Sequence, residues 1–176
     1  MLLREGQFRN PSGCAVSAVI DRSGKPMSGE RMIRSISVMR DRSNGLGGGF
    51  AGYGIYPDYK EFYAFHLFYD SKSARQETEA FITRHFEIAY SSEIRTRKIP
   101  EVTDEPIIWR YFLAPLSRKL ADSHLDEREY VARCVNRINV EIDGAYVFSS
   151  GKNMGIFKGV GYPEDIGRFY RLDEYY

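Results

Sequence analysis

The sequence predicts a layered α/β domain. A chain of 176 residues has the length of one domain with a sizeable core. Aromatic residues make up 14% of it, carried by 13 Tyr and 11 Phe, and aromatic side chains favour strands over helices. The run 62–69 (FYAFHLFY) is apolar almost throughout, which is typical of a central strand covered on both faces. Apolar residues at helical spacing on either side of this run predict the helices that cover it.

Composition excludes several classes of protein. Twenty-five Lys and Arg against 24 Asp and Glu leave a formal charge of +1, so no net field attracts nucleic acid or an anionic membrane surface. The chain has no stretch of 18 apolar residues, and its two cysteines, Cys14 and Cys134, are too few for a disulfide scaffold. The histidines lack the close spacing of zinc ligands. We expect a cytoplasmic protein with no membrane, nucleic-acid or metal partner.

The beginning of the chain differs in character from the rest. Residues 1–13 mix charged residues with Asn, Pro, Ser and Gly without periodicity. We interpret them as a leader or propeptide that precedes a domain spanning 14–176. Residues 14–20 (CAVSAVI) are small or β-branched and end at a polar, glycine-containing turn, which predicts a buried strand and its exit.

A helix and a glycine-rich segment come next. Apolar residues recur at helical spacing between Ser28 and about Asn44, which predicts a helix over this range. Ser28 can cap its first turn. Six glycines then occur between Gly45 and Gly54, leading into an aromatic strand. Phosphate-binding glycine loops follow a strand and open a helix, whereas this run follows a helix, so nucleotide binding is disfavoured. A close-packed turn is the simpler interpretation.

Further elements are predicted along the rest of the chain. Buried stripes at helical spacing include His85 and Cys134, and we interpret both residues as structural rather than catalytic. In chain order the predicted elements are a helix from Ser71 or Ser73 to about Tyr90, a strand at Ile107–Leu113, a helix from about Asp126 to Asn139, a hairpin of Ala145–Ser149 with Met154–Phe157, and a helix at Pro163–Tyr170.

Cys14 is the residue with the clearest chemical potential. It follows Ser12 and Gly13, small residues that leave the Gly13–Cys14 peptide bond accessible to cleavage. Cleavage there would place a thiol and a free α-amine on one residue, and an α-amine titrates at about pH 7.7–8. Such an amine can act as the base that activates its own nucleophile, without a histidine. The other interpretation of Cys14 is a small buried strand residue, and the residues alone leave both open.

Three long segments resemble one family of enzymes. They are SGCAVSAVIDRSGK (12–25), MRDRSNGLGGGFAGYGIYPDY (39–59) and INVEIDGAYVFSSGKNMGIFKGVGYPEDIGRFYRL (138–172). In this order they are similar to the amidotransferase domain of archaeal-type glutamate synthases and their stand-alone relatives. That family belongs to the class II, N-terminal-nucleophile glutamine amidotransferases. The likeness extends over nearly the whole chain from Ser12 onward.

The resemblance implies a fold and a site. The family folds as a four-layer α/β/β/α sandwich, the Ntn-hydrolase fold, and its nucleophilic cysteine is exposed by removal of a leader. Cys14 takes that position, with cleavage between Gly13 and Cys14. Arg42 stands where a family arginine shapes the substrate pocket, whereas Asp41 replaces the family's histidine and Ser43 its glycine.

The likeness ends at Tyr176, before segments that the family uses in catalysis. Those segments supply an arginine for the substrate carboxylate, an asparagine-glycine pair for the oxyanion hole and an aspartate for the substrate amine. Loss of one oxyanion donor typically lowers the rate about 10²–10³-fold, so we expect this chain alone to be inactive. The implied sandwich is therefore incomplete. Either a second polypeptide supplies the rest or the chain is a truncated product, and the unpaired sheet edge would need that partner or self-association.

The functional hypothesis is a glutaminase subunit or fragment. By resemblance, Cys14 attacks the side-chain amide of glutamine and releases ammonia within a glutamate-synthase-like complex of nitrogen assimilation. The flavin and iron–sulfur centres of such a complex lie on other subunits, so no cofactor is assigned to this chain. The alternative is a non-catalytic interaction or regulatory subunit that retains the fold. A third possibility is an autoproteolytic hydrolase that acts on a different amide.

Overall fold

The computed structural model describes residues 13–175, which form two compact units. One comprises the described parts of Met1–Phe50, Thr96–Thr103 and Phe157–Tyr176, and the other comprises Ala51–Arg95 and Asp104–Ile156. We call them the terminal unit and the sheet unit. The predicted leader lies outside the described residues except for Gly13.

The described residues form five α-helices and six strands, and the predicted mixed α/β class is confirmed. In chain order these are α1 (Glu30–Ser37), β1 (Gly48–Tyr53), β2 (Tyr63–Tyr69), α2 (Lys72–His85), β3 (Phe86–Glu93), β4 (Ile107–Pro115), α3 (Ser117–Ser123), α4 (Glu127–Glu141), β5 (Ala145–Lys152), β6 (Met154–Gly159) and α5 (Pro163–Phe169). Within residues 13–175, no helix combines the length and the apolar character that a membrane crossing needs.

The sheet unit is built on a four-stranded antiparallel sheet with the order β3-β4-β2-β5. As predicted, β2 is central, because it pairs with β4 along one edge and with β5 along the other. Six of its seven residues are buried, so both faces of the strand are covered. Phe65 and Leu67 point toward the core that α2 and α4 cover, and neither is exposed to solvent. Burial of one such side chain contributes roughly 1.5–3 kcal/mol to folding.

The two long helices begin where side chains cap them. Ser71 accepts a hydrogen bond from the Ala74 amide at 3.1 Å, and Asp126 accepts one from the Glu129 amide at 2.8 Å. These caps satisfy main-chain donors that lack partners inside a helix. The helix predicted at 126–139 is confirmed as α4, and Cys134 lies in the core at 3% exposure as expected.

The second predicted helix is shorter than its pattern indicated. We expected it to reach about Tyr90, but α2 ends at His85 and the chain continues directly into β3. Phe86 and Ile88 pair with β4 opposite Pro115 and Leu113. Main-chain pairing with a distant strand therefore overrides the local helical spacing.

The predicted hairpin of 145–149 with 154–157 is wrong. β5 and β6 are consecutive, but β5 pairs with β2 in the four-stranded sheet while β6 pairs with β1 in a two-stranded sheet. The turn between them contains Asn153 in the left-handed conformation, with φ of 49°, and the Asn153 carbonyl accepts a hydrogen bond from the Gly54 amide at 2.7 Å. A turn signal shows that the chain bends and does not determine which strands pair.

Asn139 on α4 completes the hydrogen bonding of β5. Its Nδ2 donates to the Val147 carbonyl at 3.1 Å, and its Oδ1 accepts from the Val147 amide at 2.6 Å. The Asn139 side-chain amide thus forms hydrogen bonds with both main-chain groups of Val147, as the peptide group of a neighbouring strand would. Covering an edge in this way limits unwanted strand pairing.

We expect Asn139→Ala to lower the free energy of unfolding by about 2 kcal/mol, because Val147 is buried and both of its main-chain groups would lose their partners. Urea unfolding followed by circular dichroism measures the change. Asn136→Ala is the matched control, since Asn136 lies on the exposed side of the same helix. Equal stability of the two variants would contradict this role for Asn139.

In the terminal unit, α1 and α5 pack closely against each other. A Cβ atom added to Gly167 would lie 2.6 Å from Cγ1 of Ile33, so this approach requires glycine. Ile166 and Phe169 of α5 are buried, and Phe157 meets Tyr170 edge to face at a centroid distance of 5.3 Å. The helix predicted at 163–170 is confirmed as α5.

Two predictions for the terminal unit are wrong. The strand expected at 14–20 has no regular secondary structure, and Val16 and Ile20 are 86% and 85% exposed. A strand forms only with a partner, and no described strand pairs with this segment. The helix expected at 28–44 ends at Ser37, followed by a 3-10 turn at Arg40–Arg42. None of the residues of α1 is fully buried, so side-chain packing does not stabilise a longer helix.

Candidate functional site

Cys14 and Gly13 are both exposed in the terminal unit. The peptide bond between them is therefore open to solvent, as its predicted cleavage requires. The interpretation of Cys14 as a buried strand residue is wrong, because the residue is neither buried nor part of a strand. Exposure also leaves the thiol within reach of a small substrate.

The structure brings Arg42 next to Gly13. A Cβ atom added to Gly13 would lie 3.0 Å from the Arg42 carbonyl oxygen and 3.6 Å from Arg42 Nε. These residues are 29 positions apart in the sequence and belong to two different segments of the family resemblance. The predicted cleavage position and the predicted pocket arginine are thus neighbours within one unit.

The 3-10 turn that carries Arg42 is anchored through Arg40. The Arg40 guanidinium forms an ion pair with Glu164 and lies over the ring of Tyr162, 3.9 Å from its centroid. The side chain of Glu164 is only 8% exposed, so the pair is partly screened from water. At the next residue, burial raises the pKa of the Asp165 carboxyl above its usual value. These contacts attach the turn to the start of α5.

Close packing accounts for the glycine run after the turn. Gly45 has φ of +73°, and a Cβ atom there would lie 3.3 Å from the ring of Tyr162. A Cβ atom on Gly49 would lie 2.7 Å from the Phe157 carbonyl oxygen, and one on Gly48 3.1 Å from the backbone of Pro163. The predicted close packing is confirmed, because these positions leave no space for side chains, but Gly48 and Gly49 belong to strand β1 rather than to a turn.

Cys134 and His85 occupy structural positions in the sheet unit. Burial raises the pKa of the Cys134 thiol, so less of the reactive thiolate forms at neutral pH. His85 stacks on Phe81 at a centroid distance of 4.4 Å, and its Nδ1 lies 2.8 Å from the Tyr130 hydroxyl. Desolvation lowers the pKa of His85, which favours the neutral ring. These contacts agree with the structural roles expected for both residues.

His66, which was not among the predicted site residues, forms a buried polar centre in the sheet unit. The residue is fully buried on β2. Its Nδ1 lies 2.9 Å from the Ile156 carbonyl, which can only accept, so Nδ1 carries the proton. Its Nε2 lies 2.9 Å from the Tyr56 hydroxyl and therefore accepts in the neutral ring. Burial lowers the pKa of His66 to about 4, and Arg110 acts in the same direction. A polar residue inside the apolar run 62–69 is the signal that could have revealed this centre.

Comparison with known proteins shows that the chain belongs to the same family as an archaeal protein. A protein of Archaeoglobus fulgidus, named only as an uncharacterized protein, is 43% identical to this chain over 170 residues. The alignment covers 96% of this chain but 45% of the relative, so the chain spans less than half the length of the protein it matches. No family model matches the chain.

Proposed function

We propose that this chain is a glutaminase subunit or fragment of the class II amidotransferase type, with Cys14 as its nucleophile. One observation carries the proposal: Arg42 lies against Gly13, the residue that precedes the proposed nucleophile, although the resemblance assigned the two positions separately. Exposure of both Gly13 and Cys14 gives further support, since the bond must be cut and the thiol must meet a substrate.

The proposed chemistry begins with removal of residues 1–13. The α-amine of Cys14 then takes the proton of its own thiol, and the thiolate attacks the side-chain amide carbon of glutamine. The resulting tetrahedral oxyanion collapses with loss of ammonia, which takes the proton back from the amine. Water hydrolyses the remaining thioester to give glutamate and the free thiol. In this scheme Arg42 shapes the pocket beside the nucleophile.

We also propose that the fold is an Ntn-hydrolase sandwich, incomplete in this chain. An Ntn-hydrolase sandwich consists of two sheets, each covered on its outer face by helices. The sheet unit supports this assignment, because α2 and α4 cover one face of its four-stranded sheet. The second sheet has two strands, β1 and β6, among the described residues. We propose that another polypeptide segment supplies the oxyanion hole and the substrate clamp, and that the complex delivers ammonia in a glutamate-synthase-like assembly.

Maturation can be measured directly. We expect mass spectrometry of the protein purified from its native source to show a chain that begins at Cys14. A glutamine-hydrolysis assay should then detect ammonia only when the chain is combined with the polypeptide that completes the domain. Glutaminase activity of this chain alone would contradict the completing-segment proposal. Native material that still carries residues 1–13 in an active complex would contradict the proposed base.

A non-catalytic interaction or regulatory subunit is the second candidate. The observation that favours it is the absence of regular structure at 14–20, since a catalytic nucleophile is normally held by a rigid element. In that case the leader is retained, and replacement of Cys14 leaves ammonia release by the complex unchanged.

A further inference from the structure

A recess in the sheet unit lies apart from Cys14 in the sequence and is lined by charged residues of both signs. Its volume is about 460 Å³, within the range of roughly 300–1,000 Å³ typical of small-molecule sites. Lys72, Arg75 and Glu79 of α2 line one side, and Glu93 of β3 with Trp109 of β4 line the other. The recess is therefore formed by three elements that pack around one end of the sheet.

Arg75 is held firmly in this recess. Its guanidinium lies 3.4 Å from the centroid of the Trp109 ring, and its Nε donates to Glu79 at 2.9 Å. Glu79 also accepts a hydrogen bond from the Tyr111 hydroxyl at 2.9 Å, which connects the ion pair to the core. A guanidinium oriented by stacking and by an ion pair is well suited to bind a carboxylate, because little conformational entropy remains to be lost.

Lys72 and Glu93 carry the other two charges of the recess. Among residues 13–175, neither Lys72 nor Glu93 has an ion-pair partner, although both line the same space. The Trp109 Nε1 hydrogen is also buried without a hydrogen-bond partner within the described chain. The residues that line this recess thus include one exposed charge of each sign and one buried donor without a partner. A ligand that carries both charges would satisfy such groups.

We propose that this recess binds a free α-amino acid in its zwitterionic form. Lys72 supplies positive charge and Arg75 supplies hydrogen-bond donors for the carboxylate, and Glu93 supplies negative charge for the ammonium group. The Trp109 ring adds an apolar wall for the rest of the ligand. Glu79 offsets the charge of Arg75, so the net charges left for a ligand are those of Lys72 and Glu93, one of each sign, and Arg75 contributes mainly the hydrogen-bond donors of its guanidinium. A simple anion would leave Glu93 without a partner. The proposal is independent of the glutaminase function, since the recess does not include Cys14.

Trp109 makes the test specific, because it is the single tryptophan of the chain. Its fluorescence emission is titrated with each standard amino acid except tryptophan, which itself fluoresces, using the chain of 176 residues. For any amino acid that changes the emission, the N-acetyl derivative and the amide are titrated next. We expect saturable binding of at least one amino acid and at least about tenfold weaker binding of both derivatives, because each lacks one charge.

Substitutions at Arg75 and Glu93 test whether these residues bind the charged groups of the amino acid. Arg75→Gln and Glu93→Gln should each weaken binding about tenfold or more, which corresponds to about 1.4 kcal/mol. Lys119→Gln, on exposed α3, is the control and should bind like the parent. Glu93 is exposed, so its variant should fold even if Arg75→Gln does not. No response to any amino acid, equal binding of the N-acetyl derivative, or unchanged binding by both variants would overturn the proposal. None of these results would bear on ammonia release.

Discussion

Replacing Cys14 with alanine is expected to lower glutamine-dependent ammonia release by the assembled complex about 10³-fold or more. The reason is that both the attacking thiolate and the thioester intermediate disappear, and removal of a nucleophile from a covalent mechanism abolishes that pathway. The measurement is ammonia release per complex with glutamine as substrate. The assembled complex must be used, because the oxyanion hole is proposed to lie on the completing segment.

Cys134→Ala is the matched control for this substitution. Cys134 is the other cysteine of the chain, but it is buried in the sheet unit. Its replacement should lower stability by about 1 kcal/mol through lost packing and leave ammonia release per folded complex unchanged. Unchanged ammonia release by the Cys14→Ala complex would rule out the glutaminase proposal and favour the regulatory subunit.

Acidification is expected to destabilise the fold through His66. The folded protein holds His66 neutral with a pKa of about 4, whereas an unfolded histidine titrates near 6.5. A base with a depressed folded pKa stabilises the fold fully above its unfolded pKa, and the contribution is lost as the pH falls from 6.5 toward 4. This linkage predicts a loss of about 2 kcal/mol between pH 7 and pH 5, approaching about 3 kcal/mol at lower pH.

Urea unfolding across this pH range measures the loss. In His66→Gln the side chain no longer titrates, so the variant should be less stable at pH 7 yet lose much less stability on acidification. The control His85→Gln removes a histidine with a smaller buried fraction and should retain most of the parent's pH dependence. Parallel pH profiles for His66→Gln and the parent would contradict the assignment to His66.

The sequence predicted the residues of the candidate site but not their arrangement in space. The Gly13–Cys14 bond was identified from residue type and immediate neighbours, whereas Arg42 was identified only through the resemblance to the amidotransferase family. Their proximity could not be derived, since it depends on the turn at Arg40–Arg42 and on the ion pair of Arg40 with Glu164. The recess lined by Arg75 and Trp109 was missed because its lining residues come from separated segments, none of which carries a motif.

The sequence by itself determined the elements whose signals are local. The central strand β2 followed from a continuous apolar run, and α4 and α5 followed from helical spacing with a cap or a starting proline. Only the tertiary structure decided which strands pair. It ended α2 at His85, placed β5 and β6 in different sheets, and left 14–20 outside the two sheets that residues 13–175 form. Strand pairing joins main-chain groups far apart in the chain, and a local pattern contains no information on which distant partner is free.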